Sequence, residues 1–317
     1  MAEPTHRPVL LRRIVELLTP ASLPDAPVLV DCTLGLGGHA AALLTACPDA
    51  WLIGLDRDPE ALAIAGDRLK PFADRVTLVQ ALYHQLPDVL EEHGIRHGVQ
   101  GIVMDLGLSS LQIDRLERGF AYAVDAPLDM RMGDSDLTAA DVLNTYSVAD
   151  LTRILRSYGE ERFADRIARR IASERAQQPF DSSGRLVAVL RAAIPMASQM
   201  KSGHPAKRTF QALRIEVNGE LDSLSAALPA AIAALAVGGR LAVLAYHSLE
   251  DRLVKQVLRA GSTDRAPRNL PVVPPELRPE LELLTRGAER PDPEEIATNP
   301  RSASARLRAA VRIKEAA

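Results

Sequence analysis

Short apolar runs alternate with segments of helical period along the first third of the chain. Val28–Asp31, Trp51–Asp56, Val76–Val79 and Gly101–Asp105 read as strands, each an apolar run ended by a polar residue or a turn. Helical segments lie between them: an Ala/Leu segment that follows the glycine turn Gly35, Gly37, Gly38 and runs through about Ala46, Pro59 to about Lys70, and about Leu86 to His93. Pro59 stands in a first turn, where its missing N–H does no harm. The alternation predicts right-handed crossovers and a parallel sheet.

The alternation then stops. From Ile113 to Pro205 only helical patterns recur, over Thr138–Asn144, Val148–Ser157, Glu160–Gln177 and Arg185–Ala193. This stretch reads as an all-helical domain inserted into an α/β domain. A long helical pattern over Thr209–Leu235 follows, with a break or kink expected near Pro229. A fifth strand is expected at Gly239–Tyr246 and a helix at Leu249–Arg259. Ala266–Pro279 is a Pro-rich loop, and Leu281–Leu284 with Leu307–Ile313 form a candidate antiparallel pair. The expected division is 1–112 and 206–317 for the sheet domain and 113–205 for the insert.

Composition narrows the classes. The 317 residues carry 38 basic and 41 acidic side chains, a formal net charge of -3, which excludes a uniformly basic nucleic-acid coat but not a local basic patch. Two cysteines, Cys32 and Cys47, exclude a disulfide framework and a cysteine zinc finger, and both are expected as small core residues. Residues 1–8 have no basic segment leading into an apolar run, so no secretory signal is expected. The longest apolar stretch, Ala226–Val237, is too short to span a bilayer. A cytoplasmic location with no membrane partner is expected.

In an open parallel sheet, ligands bind beyond the carboxyl ends of the strands. Asp31-Cys-Thr-Leu-Gly35-Leu-Gly37-Gly38-His39 follows the first strand, Asp56 ends the second and Asp105 ends the fourth. Glycines admit a ligand to the backbone, the next helix presents free N–H groups, and the acid ending the second strand can accept both hydroxyls of a ribose. This points to an adenosine-containing cofactor, against the plain alternative of turn glycines and capping aspartates. The loop also fits the dinucleotide fingerprint, so by itself it does not separate NAD from S-adenosylmethionine.

Later segments separate them. Asp105-Leu-Gly107-Leu-Ser109-Ser110-Leu-Gln112 follows the fourth strand, then Gly119-Phe120-Ala-Tyr122, Asp125-Ala-Pro127-Leu128-Asp129-Met130-Arg131-Met132 and Tyr158-Gly-Glu160-Glu161. His204-Pro205-Ala-Lys207-Arg208-Thr209-Phe210, Tyr246-His247-Ser248-Leu-Glu250-Asp251-Arg252 and Asn299-Pro300-Arg301-Ser302 come last. This set, in this order, resembles the bacterial 16S rRNA cytosine-N4 methyltransferase family, over nearly the whole chain. The resemblance implies a Rossmann-like class I methyltransferase sheet with an inserted helical domain for substrate recognition. It also implies S-adenosylmethionine as cofactor and, as substrate and partner, a cytidine in the decoding region of 16S rRNA within the small ribosomal subunit. It leaves the oligomeric state open, a homodimer included.

Carried across residue by residue, it implies cofactor contacts at Gly37, Gly38, His39, Asp56, Tyr83, Asp105 and Gln112. Leu34, Leu36, Tyr83 and Tyr246 depart from residues common in relatives, and Tyr246 adds a hydroxyl where Phe is common. A cytosine amino group is a poor nucleophile because its lone pair is delocalised into the ring, so an enzyme must accept its N–H hydrogens and align it. Asp105 and the carbonyls of Leu106 and Gly107 stand where such acceptors belong. Phe120, Tyr122, Phe210 and Tyr246 are the candidate base-stacking rings, each weighed against simple core packing. His247 is a candidate proton acceptor, or else it orients the loop after the fifth strand. No cluster has metal-ligand spacing, so no catalytic metal is expected.

RNA contacts are expected from the insert, at Arg153, Arg156, Arg162, Arg166, Arg169, Arg170 and Arg175, and from a second basic run at Arg301, Arg306, Arg308, Arg312 and Lys314. Lys207, Gln211, Arg214 and Asn218 lie off an apolar helical stripe and, with Arg208, join the candidate surface, against ordinary solvated polarity. Two rivals remain: an NAD-linked oxidoreductase, which lacks a hydride site, and an RNA-binding assembly factor with a relic pocket.

Overall fold

The computed structural model describes residues 8–133, 135–202, 204–264, 266, 274 and 277–314. Seven strands form one sheet: β1 (Val28–Asp31), β2 (Trp51–Asp56), β3 (Val76–Gln80), β4 (Val99–Asp105), β5 (Leu235–Ala245), β6 (Leu281–Leu283) and β7 (Arg306–Arg312). Their order is β3-β2-β1-β4-β5-β7-β6. β1 to β5 run parallel, while β7 runs antiparallel to both β5 and β6. The order reverses between β1 and β4, and there the carboxyl ends of β1, β2 and β4 deliver Asp31, Asp56 and Asp105.

Successive strand residues point to opposite faces, and here both faces are covered, which is why the strands read as apolar runs rather than as polar–apolar alternation. Val30, Ile53, Leu55, Ile102, Met104, Leu241 and Val243 join one core with the helices Leu86–Glu92, Glu220–Ala234 and Ser248–Gly261. Leu29, Leu52, Val103, Ala242 and Leu244 join the other with Leu11–Leu18, Gly38–Ala46 and Pro59–Leu69. Cys32 is buried in the first core, and Cys47 is half-buried.

The chain divides into two compact units, one of residues 1–107 with 221–317, the other of residues 108–220. The second is all-helical and extends past the expected boundary at 205. The reason is the helix Lys207–Asn218, whose Phe210, Leu213 and Val217 belong to the core of that unit with Leu143, Leu151, Ile154, Ile167 and Leu190.

The long helical pattern over Thr209–Leu235 is two helices, and the break falls at Gly219 rather than at Pro229. Gly219 takes a left-handed φ of 60° and ends the first helix. Pro229 lies inside the continuous helix Glu220–Ala234. The loop expected at Ala266–Pro279 falls largely outside the described residues.

Candidate active site

The glycine turn after β1 is shaped by backbone conformation. Gly35 and Gly37 have φ of 51° and 73°, the left-handed region in which a side chain is strained. Gly37 precedes the helix Gly38–Ala46 with no side-chain cap, so the first N–H groups of that helix are left for a ligand. A Cβ at Gly38 would collide with the Pro8 ring. Asp56 ties the turn to β2: its Oδ2 accepts the Gly35 N–H at 2.7 Å and its Oδ1 the Asp58 N–H at 2.9 Å. Burial pushes the Asp56 carboxyl up, against the two backbone donors that pull it down.

Asp105 is held from several sides. Its N–H donates to Thr33 Oγ1 at 2.6 Å, and its Oδ1 accepts the Tyr246 hydroxyl at 2.7 Å. Its Oδ2 lies 3.4 Å from His39 Nε2. His39 is buried in the first turn of Gly38–Ala46, and neither of its ring nitrogens has a hydrogen-bond partner among the described residues. Buried polar atoms of this kind require a partner. Asp31, fully buried beside this group, accepts the Thr33 N–H at 3.2 Å. Burial pushes its carboxyl up to about 7; the His39 charge opposes the rise, and the Asp105 and Asp56 charges add to it.

The site therefore collects Asp31, Asp56 and Asp105 around a glycine turn, with the His39 imidazole beside Asp105 and without a hydrogen bond of its own among the described residues. The donor set fits a cofactor that brings positive charge, hydroxyls and a polar group for His39. Tyr83 opens a short 3-10 turn directly after β3 and packs on the core shared by β1, β2 and β4. Gln112 belongs to the helical unit, where its side chain accepts the Ser109 N–H at 3.1 Å and closes a capping box on the helix Ser110–Asp114. Thr33 was not singled out by sequence reasoning; the available signal was a hydroxyl residue just beyond a strand that ends in Asp.

His247 serves the turn after β5. Its Nδ1 accepts the Glu250 N–H at 3.4 Å, and its Nε2 lies 3.1 Å from Glu250 Oε1 but outside hydrogen-bonding geometry. Glu250 Oε2 in turn accepts the Tyr246 and His247 N–H groups at 2.7 and 3.2 Å. Nδ1 is engaged and Nε2 faces a carboxylate, an arrangement compatible with the second of the two roles considered for it, orienting the loop.

Several expected RNA contacts are internal. Arg214 makes a two-pronged pair with Glu220, at 2.8 and 2.9 Å, with little exposure of either side chain. Asn218 is buried and holds the Met130 carbonyl and the Met132 N–H, both at 2.8 Å, and Gln211 donates to the Tyr158 carbonyl. Arg306 and Arg308 are paired with Asp251, and Arg312 is buried against the Ala233 and Leu235 carbonyls and Glu280. The basic run of β7 is thus largely structural: its cations anchor β7 to the helix Ser248–Gly261 and to the end of Glu220–Ala234. Lys207 and Arg301 are exposed and Arg208 is half-buried.

An open doubly wound sheet with an antiparallel seventh strand, a glycine turn after β1 and acids ending β1, β2 and β4 defines a class I methyltransferase. The chain belongs to the MraW methylase family, which it matches over residues 3–313. It is similar to the ribosomal RNA small subunit methyltransferase H of Streptomyces avermitilis, 58% identical over 99% of this chain and 99% of that protein. It is also similar to the protein of that name from Nocardia farcinica, 59% identical over 98% of this chain and 97% of that one. The cofactor is S-adenosylmethionine. Among the described residues, no helix is long and apolar enough to cross a membrane.

Proposed function

We propose that Asp105 receives the amino group of the target base, and that the helical unit recognises the RNA around it. The reaction is S-adenosylmethionine-dependent methylation of the exocyclic N4 of a cytidine in 16S rRNA. The target lies in the decoding region, and the chain acts in the cytoplasm.

What supports the role of Asp105 is its placement. The carboxylate is fixed through its backbone by Thr33 and through Oδ1 by Tyr246, while Oδ2 makes no hydrogen bond. One oxygen is thus held in position, and the other, 3.4 Å from His39 Nε2 but not hydrogen-bonded to it, keeps lone pairs to accept an N–H. When bound, S-adenosylmethionine supplies an electrophilic methyl on a sulfonium. Asp105 accepts one N4 hydrogen, which turns the nitrogen lone pair out of conjugation, and takes the proton released once the N–C bond has formed. Gly37, Gly38, His39, Asp56 and Tyr83 hold the cofactor. His39 offers its unpaired nitrogens to it, and Asp56 offers its remaining lone pairs to the ribose.

Tyr122 is the ring we assign to base stacking. Phe120 and Phe210 are buried in the core of the helical unit, and Tyr246 is tied to Asp105. Tyr122 is half-exposed, stacked on His204 at 4.6 Å and braced edge-on by Phe210. Burial, aided by the Arg191 charge, lowers the pKa of His204 and favours its neutral form. A neutral ring pair suits an unpaired nucleobase. Lys207, Arg208 and Arg301 are assigned to the phosphates.

The deciding experiment is nucleoside mass spectrometry of small-subunit rRNA from cells with and without this protein, with transfer to isolated subunits repeated in vitro. Loss of N4-methylated cytidine in its absence is expected. Unchanged levels overturn the reading.

A further inference from the structure

We propose that Tyr246 is a positioning residue for methyl transfer: its hydroxyl fixes the Asp105 carboxylate, and its ring supports the backbone that follows Asp105. The inference rests on the reading of Asp105 given above.

Tyr246 directly follows β5, whose Leu244 pairs with Asp105 in the parallel register of β4 and β5. The two residues therefore emerge side by side at the same end of the sheet. The position of the ring is set from its own backbone, because Glu250 takes the Tyr246 N–H and the His247–Glu250 capping box rigidifies the turn. From there the hydroxyl reaches Asp105 Oδ1 at 2.7 Å.

The ring meets a second part of the same segment. Gly107 has a φ of 94°, and a Cβ placed on it would lie 3.4 Å from Tyr246 Cδ2. One side chain thus bonds Asp105 and borders the open side of Gly107, at the two ends of the stretch whose carboxylate and carbonyls face the N4 chemistry. Burial, then the Asp105 charge and the hydrogen bond to it, raise the phenol pKa well above its ordinary value. The hydroxyl stays protonated and can only donate to the carboxylate, so Oδ1 is committed and Oδ2 is left for the substrate.

Tyr246→Phe isolates the bond, since the ring and its packing on Gly107 are kept. Single-turnover methylation of small subunits at saturating S-adenosylmethionine is expected to slow by about 10- to 100-fold, the effect of losing a hydrogen bond to a charged group. Cofactor affinity by calorimetry and the KM for subunits are expected to stay within about two-fold, whereas a merely structural loss moves these along with the rate. In an Asp105→Asn background, Tyr246→Phe is expected to add almost nothing, because both changes break one unit.

The outcomes separate the two claims. A normal rate for Tyr246→Phe beside a slowed Asp105→Asn overturns the role of Tyr246 and leaves Asp105 standing. A normal rate for Asp105→Asn overturns the Asp105 reading and, with it, any route through Tyr246. Fully additive losses in the double variant also overturn the proposal. An unchanged circular dichroism spectrum and cooperative melt certify the fold of each variant.

Discussion

The Gly35 N–H donates to Asp56 Oδ2 at 2.7 Å, which ties the glycine turn after β1 to the carboxylate ending β2. The acid we assign to the ribose therefore also holds the loop we assign to the rest of the cofactor. Asp56→Ala is expected to weaken S-adenosylmethionine binding by about 1.5–3 kcal/mol, the range for a hydrogen bond to a charged group. RNA affinity is expected to change far less. Calorimetry that finds the same cofactor affinity in the variant rejects the ribose assignment.

Asp31 gives the fold a pH dependence. Its carboxyl is raised from 3.8 to about 7, chiefly by burial. The folded chain then keeps a proton that the unfolded chain releases. This contribution to stability is complete below the unfolded value and is lost as pH rises through the folded one. The swing between those limits is roughly 4 kcal/mol. Asp31→Asn keeps an acceptor for the Thr33 N–H and removes the ionisation. Denaturant melts at about pH 5 and pH 8 are expected to show a flatter pH dependence in the variant and a gain over wild type at the higher pH. Parallel curves for the two proteins would remove Asp31 from the account. A cationic ligand beside Asp31 favours the ionised form, so S-adenosylmethionine affinity is expected to rise with pH across the same window in wild type only.

Much of the sheet was legible because a parallel strand covered on both faces is an apolar run, and Val28–Asp31 and Trp51–Asp56 keep the bounds expected for them. The helix boundary near Pro229 was misplaced because a proline signal outweighed Gly219, which looks like any helix glycine until its left-handed φ is known. Polar positions misled for a related reason. Arg214 and Asn218 are spaced like a solvated face, but their partners, Glu220 and the Met130–Met132 backbone, are fixed by tertiary packing. Asp105 was legible as a strand-end acid. The Thr33 and Tyr246 bonds that orient it depend on the side-by-side emergence of β1, β4 and β5, which no local pattern encodes.

Asp105→Asn keeps the size of the side chain while removing the charge and half of its acceptor capacity. With saturating S-adenosylmethionine, single-turnover methylation is expected to fall by about 100-fold or more, in the range for a positioned polar group in a transition state. Saturation matters because Asp105 lies 3.4 Å from His39, which we assign to the cofactor, so the substitution can also weaken cofactor binding. A normal rate under these conditions reduces Asp105 to a binding residue and moves the N4 acceptor to the Leu106 and Gly107 carbonyls.

The arginines of the helical unit divide by what they already hold. Arg169 is paired with Asp165, Arg170 with Glu174 and Arg153 with Glu216, and Arg175 donates to the Leu143 carbonyl. Arg156, Arg162 and Arg166 are exposed and make no ion pair among the described residues; Arg162 only lies over the Phe163 ring, at 5.1 Å. They can meet phosphates without first breaking a bond. Replacing these three by Ala is expected to raise the KM for small subunits and leave cofactor affinity unchanged. The slope of log affinity against log salt is expected to fall by about 0.7–0.9 for each arginine that meets a phosphate. Replacing Arg169 and Arg170 is the matched control, with a smaller effect because their neighbouring carboxylates already offset the charge. Equal RNA affinity and equal salt slope in the triple variant and wild type would place the RNA on another surface, with Lys207, Arg208 and Arg301 the next residues to change.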